Sequence, residues 1–553
     1  MSQFTLETVP PIQTAANGAV LDDAHVGHIR GAFGTILQGD VAPRTSFVAR
    51  LKTLLAIMGP GLIVMVGDND AGAFGTYTQA AQNYGTTLLW TLLLLVPVLY
   101  VNQEMVLRLG AVTRVGHARL ILERFGKFWG AFSVIDLFLL NALTIVTEFI
   151  GISLALDYLG ISRELGVIAA AILVMAAAGT GDFRRFERFS LLLCFGSLVL
   201  VPIVVMIHPP IAQVAHDFVT PQFPEGAKLS DVMLLIIAIV GTTIAPWQLF
   251  FQQSYVIDKR ITPRFMRYER ADLWLGIVLV IVGAVAMMAF TAATFAGHAE
   301  FGNFTDAGGI AAGLEKYAGK TAGVLFAIAL IDASIIGASA VSLSTAYAIG
   351  DVMSLKHSLH RKPTDAKGFY AVYAGVIALA AALVLTPGTP LGLLTNAVQS
   401  LAGVLLPSAT VFLLLLCNDK AVLGPWVNSR GLNLFTGAVI AILVVLSVIL
   451  TASVLWPDLG ETTIITILVG GSVLAALVAL ALRAIDRRRA GEVEKPVDPS
   501  LRNVWLMPSL DQLPPARLTL QSRVWMIALR GYLVLAGGLV LVRIIQLALG
   551  GDA

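Results

Sequence analysis

Charge is scarce in this sequence. Asp, Glu, Lys and Arg make up 13 % of its 553 residues, whereas a soluble chain carries about a quarter, so a soluble globular protein is excluded. Cysteine is scarcer still: Cys194 and Cys417 both sit inside apolar runs, which leaves no disulfide framework. The eight histidines all fall in tails, loops or the ends of apolar runs, so no imidazole stands inside a run to relay protons near neutral pH. The first 49 or so residues lack a basic segment followed by a short apolar one. They read as a disordered cytoplasmic tail, not a cleaved signal peptide. No nucleotide loop, nucleophile elbow or zinc cluster is present, nor the convergent His, Asp or Glu residues that a membrane enzyme needs. The chain is therefore expected to be no enzyme, to hold no cofactor and to bind no nucleic acid.

What is present is apolar. Hydrophobic residues reach 57 % and the mean hydropathy is +0.82, with runs of about 20 apolar residues from end to end, the pattern of a polytopic helical membrane protein. Twelve spans are expected, at roughly 53–81, 86–107, 129–156, 165–179, 189–207, 231–256, 271–296, 321–350, 369–386, 391–416, 433–454 and 463–482. Loops after even-numbered spans are basic, for example Arg184, Arg185 and Arg188, or Lys259, Arg260, Arg264, Arg267 and Arg270. Loops after odd-numbered spans hold only Arg163, Lys228, Lys316 and Lys320. Basic loops stay inside, so the N-terminus is expected in the cytoplasm and the protein in the plasma membrane (the inner membrane of a bacterium). A further apolar run at about 524–549 contains Arg530 and Arg543 and reads either as a thirteenth span or as an interfacial helix.

Two spans are interrupted. Span 1 carries "GDNDAGAF", Gly67 to Phe74, and span 6 carries "GTTIAPWQ", Gly241 to Gln248. Within lipid, backbone leaves the helix only where protein or a cavity surrounds it. Broken helices five spans apart are what an inverted five-helix repeat produces, with its substrate at the midplane between them. Intramembrane acids mark ion or substrate paths by default, and Asp70 stands beside the first break. Asp68 is either a second acid at the site or a helix cap. Carboxylates and freed carbonyls suit a cation: Mg²⁺, Mn²⁺ or Ca²⁺ by the hardness of the ligands, with an organic amine as the alternative.

From about residue 55 to 450 the chain resembles the NRAMP family of divalent-metal transporters. Gly59-Pro60-Gly61 followed by Asp70-Ala71-Gly72-Ala73 is similar to the family's GPG and DPGN. Gln103, Arg108-Leu109-Gly110, Glu148-Phe149-Ile150-Gly151, "GDFRRFERF", Gln399, Leu406-Pro407 and "VNSRGL" match in order. The resemblance implies an all-α polytopic membrane protein with a LeuT-like inverted repeat of five plus five helices. It divides as a tail at 1–49, repeats at 50–207 and 208–417, spans 11 and 12 at 418–484, and a charged segment with the extra run at 485–553. It also implies a metal site of Asp70, Thr242, Ala245, Gln248 and Gln399, with Asp68 added, and a hinge of Gly67, Ala71, Gly72, Ala73 and Pro246. Glu148 is expected in a proton or polar network, or as the partner of a loop arginine.

The departures fall on the chemistry. The motif asparagine is Ala73, the methionine of the family's MPHN is Ala245, and its histidines align with Trp247 and Gln252 and its span-3 aspartate with Ile145. The pattern resembles the NRAMP-related magnesium transporters more than the proton-coupled branch. The function expected is uptake of Mg²⁺, Mn²⁺ or both by alternating access without obligatory proton coupling. The alternatives are a proton-coupled Mn²⁺/Fe²⁺ symporter and a metal-binding sensor without transport. The expected partners are the metal substrate and membrane lipid, and the sequence sets no oligomeric state. Glu104 reads as structural, Trp247 as a packing residue, and Asp332 has no assigned role.

Overall fold

A computed structural model describes residues 23–387, 407–456, 459–489 and 498–516, with isolated positions between 398 and 538. The first apolar span is divided into α1 (Phe47–Ile57), α2 (Pro60–Val66) and α3 (Ala71–Tyr84). Then come α4 (Trp90–Thr113), the short α5 (His117–Phe125), α6 (Lys127–Leu159), α7 (Arg163–Ala178), α8 (Phe183–Gly196) and α9 (Leu200–Ile207). After α10 (Ile211–Val219), span 6 is divided into α11 (Leu229–Thr243) and α12 (Pro246–Asp258). The remainder comprises α13 (Met266–Phe295), α14 (Ala307–Ala318), α15 (Lys320–Met353), α16 (Lys367–Leu385), α17 (Pro407–Cys417), α18 (Lys420–Leu423), α19 (Arg430–Leu455) and α20 (Glu461–Arg489).

Among the described residues nine helices are long and apolar enough to cross a membrane, or up to eleven if each bent pair is one span. Where they are described, the expected runs coincide with helix, but α7 has only 16 residues, about 24 Å at 1.5 Å per residue. Most of run 10 and most of the run at 524–549 lie outside the described residues. Depth in the bundle varies: 72 % of the apolar stretch of α15 is buried, against 6 % of that of α20. So α15, packed against α6, is central, and α20 is peripheral.

The expectation of a disordered tail is corrected for residues 23–46. Ile29–Gly31 and Gly34–Ile36 form an antiparallel hairpin packed on α1, and arginines from the basic loops hold it. Arg260 donates to the carbonyls of Ala24 and His28, and Arg188 to that of Ala32. A polar segment that lacks a core of its own is thus ordered by hydrogen bonds to the bundle.

Beneath the hairpin lies a buried charged cluster. Lys259, assigned by sequence to a basic loop, is 1 % exposed, and its Nζ is 2.6 Å from Glu187 Oε1 and 2.8 Å from the Met58 carbonyl. Asp272 of α13 accepts from the backbone N–H groups of Gly59 and Gly61 at 3.1 and 2.7 Å. It thereby satisfies donors at the start of α2 that no helical carbonyl reaches, where α1 and α2 meet at 54°.

Candidate functional site

The break in span 1 runs from Gly67, which ends α2 in a helical conformation, to Asp70, which caps α3. Asp70 has extended backbone (φ −79°, ψ −173°), and its Oδ1 accepts from Ala73 N at 2.9 Å. A side-chain oxygen at this position stabilises a helix start, so the cap that the sequence offered for Asp68 belongs to Asp70. Ala71, Gly72 and Ala73 form the first turn of α3. Glu148 of α6 accepts from Ala71 N at 3.1 Å. Among the described residues Glu148 thus meets the first turn of α3, and no arginine pairs with it.

Close packing makes this contact possible. A Cβ on Gly151, one turn beyond Glu148, would stand 2.6 Å from the Ala71 Cβ. A Cβ on Gly337 of α15 would lie 2.8 Å from the Glu148 carboxyl and 3.0 Å from the Asp70 Cβ. Asp70 and Glu148 are therefore neighbours that share one bare glycine surface.

The break in span 6 is shorter. Ile244 and Ala245 leave the helix (φ −98°, ψ 142° at Ala245), and Pro246 opens α12, where a missing N–H costs nothing. Thr242, buried, is in the last turn of α11. Two side-chain bonds join the breaks: Gln248 donates to Asp68 Oδ1, and Tyr77 and Thr243 share a hydrogen bond of 2.8 Å. Gln103 of α4 extends the first bond by donating to Gln248 Oε1 at 2.9 Å. Trp247 packs its indole toward Gly67 at the end of α2.

The structure thus gathers Asp68 with Gln248 around one point and Asp70, Glu148, Ala71 and Ala73 around another. Gln399 lies outside the described residues. Sequence reasoning did not place Gln103, Tyr77 and Thr243 in the site, while Gln252, aligned in sequence with a family histidine, has a fully buried amide without a partner. Gln252 follows Gln248 by four residues, and that spacing on one helix face was the available signal.

Carboxylate oxygens are among the free valences. Asp68 Oδ2 and Glu148 Oε1 are buried without hydrogen-bond partners, a costly arrangement unless another group satisfies them. Among the described residues no three His, Cys, Asp or Glu side chains are grouped as a metal cage groups them. Glu104 lies in a separate ion network with Arg108 (2.8 Å) and Arg270 (2.7 Å) that ties α4 to α13, in keeping with a structural role. Asp332 packs against Gly196 of α8.

Comparison with known proteins gives the family and the fold. The family model described as "Natural resistance-associated macrophage protein-like" matches residues 61–453, well over half of the chain. A divalent metal cation transporter MntH of Burkholderia ambifaria is 26 % identical over 455 residues, covering 79 % of this chain and 97 % of its own. One from Ralstonia nicotianae is 29 % identical over 401 residues, covering 68 % and 86 %. The crystal structure of the Eremococcus coleocola manganese transporter, in complex with an aromatic bis-isothiourea compound, superposes with a TM-score of 0.61 at 22 % identity, over 81 % of this chain and 97 % of that one. That structure shares the fold of this multi-pass, all-helical membrane protein. These relatives give the resemblance to a magnesium branch no support of their own. The chain belongs to the Nramp family, a family of divalent-metal transporters and not of enzymes.

Proposed function

We propose that this chain carries a hard divalent cation, Mg²⁺ or Mn²⁺, across the membrane by alternating access, without obligatory proton coupling. The observation that carries the reading is the chemistry of the two breaks. The bare atoms include the carboxylate oxygens of Asp68 and Glu148, the nearby side chains are amides and hydroxyls, and position 245 offers a methyl group in place of a sulfur. Mg²⁺ dehydrates reluctantly and binds through one or two carboxylates while it keeps water. An ion that draws the Asp68 and Asp70 carboxylates together, with Gln248 and the Thr242 carbonyl facing its water, would meet that description. Protons are not needed to drive uptake. An inside-negative potential contributes roughly 2.3 kcal/mol per charge per 100 mV, about 4.6 for a divalent ion, which is a ~10³-fold gradient.

The contact between Glu148 and Asp70 favours a second reading, proton-coupled Mn²⁺ or Fe²⁺ symport, in which Glu148 carries the proton. Uptake into proteoliposomes with an internal pH dye, at fixed inside-negative potential, separates the two. Mg²⁺ entry without acidification is the expected result. Mn²⁺ entry with acidification and no Mg²⁺ entry would overturn it, and binding without flux would make the protein a sensor.

A further inference from the structure

The face of α8 reads Arg184, Arg188, Leu192, Phe195, a spacing that keeps all four on one side of a helix. Leu192 is 70 % and Phe195 49 % exposed, and the exposed row continues through Leu198 and Val201. The stretch Phe183–Ile207 is apolar enough to cross a membrane, yet only 28 % of it is buried. This face therefore meets lipid, and its two arginines stand where the apolar row ends, at the end of the bundle that carries the basic loops.

The N-terminal hairpin closes over them and leaves an open cleft of about 480 Å³, lined by Arg184, Arg188, Leu192, Phe195 and the hairpin turn with Phe33. The guanidiniums are oriented from the hairpin side. Arg184 donates to the Gly34 carbonyl at 3.2 Å and to the Thr35 hydroxyl, and Arg188 Nε donates to the Ala32 carbonyl at 2.9 Å. Neither is neutralised: among the described residues no carboxylate pairs with them. The Glu187 carboxylate between them in sequence turns inward to Lys259, and Asp182 takes Arg185. Arg184 Nε is buried without a partner.

We propose that this cleft binds the phosphate of an anionic phospholipid, with its acyl chains along Leu192 and Phe195. Two uncompensated cations at the edge of hydrocarbon call for an anion, and a phosphodiester accepts charge-assisted bonds from guanidinium forks. Basic pockets beside spanning helices take anionic head groups. A free phosphate satisfies the arginines but leaves the apolar wall uncovered, and that difference sets lipid apart from ion. The bound lipid bridges α8 and the hairpin, which itself packs on α1 and donates from Ala32 N to Glu187 Oε2 at 2.6 Å.

The test uses the full chain in detergent and reads its thermal unfolding midpoint against added phosphatidylglycerol, phosphatidylcholine or inorganic phosphate. Phosphatidylglycerol is expected to raise the midpoint, with the other two far weaker. R188Q should shift the half-saturating lipid concentration upward by about fivefold, the worth of one basic residue at an anionic surface, while R188K retains most of the response. Leu192→Asn, on the exposed wall, should also weaken it, which keeps a test available if R188Q does not fold. R185Q, outside the cleft, should change nothing. An equal response in R188Q and the parent, a response to inorganic phosphate as large as that to the lipid, or an equal loss in R185Q would overturn the proposal.

Discussion

The side-chain amide of Gln248 donates to the carboxylate of Asp68, so the interrupted helices of spans 1 and 6 are joined by a side-chain bond at their breaks. A cation bound as proposed can meet Asp68 at its unpartnered Oδ2 or at Oδ1 in place of this N–H. The same amide offers an oxygen once it turns, so Gln248 can move from donor toward a carboxylate to acceptor facing a hydrated ion. Gln103 of α4 is hydrogen-bonded to the Gln248 oxygen at 2.9 Å, so a turn of that amide breaks a contact with α4.

Asp70 caps α3 and, under the proposed function, also meets the cation, and two substitutions separate the two roles. As the cap of α3 its oxygen bonds Ala73 N, a contact worth roughly 0.5–2 kcal/mol when removed to alanine and largely kept by asparagine. Asp70→Asn is therefore expected to fold like the parent and to lose uptake by at least about tenfold, ~1.4 kcal/mol of binding. Asp70→Ala should lose uptake and also unfold at a lower temperature. Full uptake by Asp70→Asn in proteoliposomes would remove Asp70 from the cation's path.

The helices were legible in the sequence because apolar runs of membrane length admit one secondary structure, and Gly, Asp and Pro inside such runs announced the breaks. The partners across the breaks were not. The bond from Gln248 to Asp68 joins residues 180 positions apart, and the bare surface of Gly337 beside Glu148 depends on how α15 meets α6. Neither distance leaves a local pattern. The hairpin at residues 29–36 was missed for a related reason: its order comes from arginines of distant loops, not from its own composition. Lys259 was read as a loop cation because hydropathy cannot see a carboxylate that arrives from α8.

Position 245 tests the preference for hard ions. Ala245 sits in extended backbone between α11 and α12 and is partly exposed. Ala245→Met adds a thioether there, a soft ligand that Mg²⁺ ignores and Mn²⁺ or Cd²⁺ tolerates better. The ratio of Cd²⁺ to Mg²⁺ uptake is expected to rise, by about tenfold for ~1.4 kcal/mol of new contact. If competition uptake gives an unchanged ratio, this side chain does not face the ion.

His357, in the loop after α15, predicts a pH effect outside the spans. Burial pushes its pKa down, but the Asp351 carboxylate (Nε2 to Oδ1 3.1 Å) and the Leu355 carbonyl (2.7 Å) prevail, and the net shift is upward from 6.5. A raised folded-state value means that the contribution is fully present below about 6.5 and fades as pH rises through the higher folded value. The parent should therefore unfold at a higher temperature than His357→Gln at about pH 6, with the gap closing toward about pH 9. A gap that grows with pH would show that the imidazole is buried neutral.

The cluster at the start of α2 should respond unequally to two substitutions. Among the described residues Glu187, Glu269 and Asp272 lie around a single cation, Lys259, which bonds Glu187 at 2.6 Å. Asp272 is satisfied by backbone N–H groups, whereas both Glu269 oxygens are buried without partners. Removing the one cation leaves buried acids uncompensated, a loss on the order of 3–5 kcal/mol, so Lys259→Met is expected to unfold early or to fail in the membrane. Glu269→Gln removes an acid that no donor serves, and the unfolding midpoint should stay level or rise. Equal destabilisation by both would mean that Glu269 supplies a contact Gln cannot make, and the cluster would then be balanced by something other than Lys259.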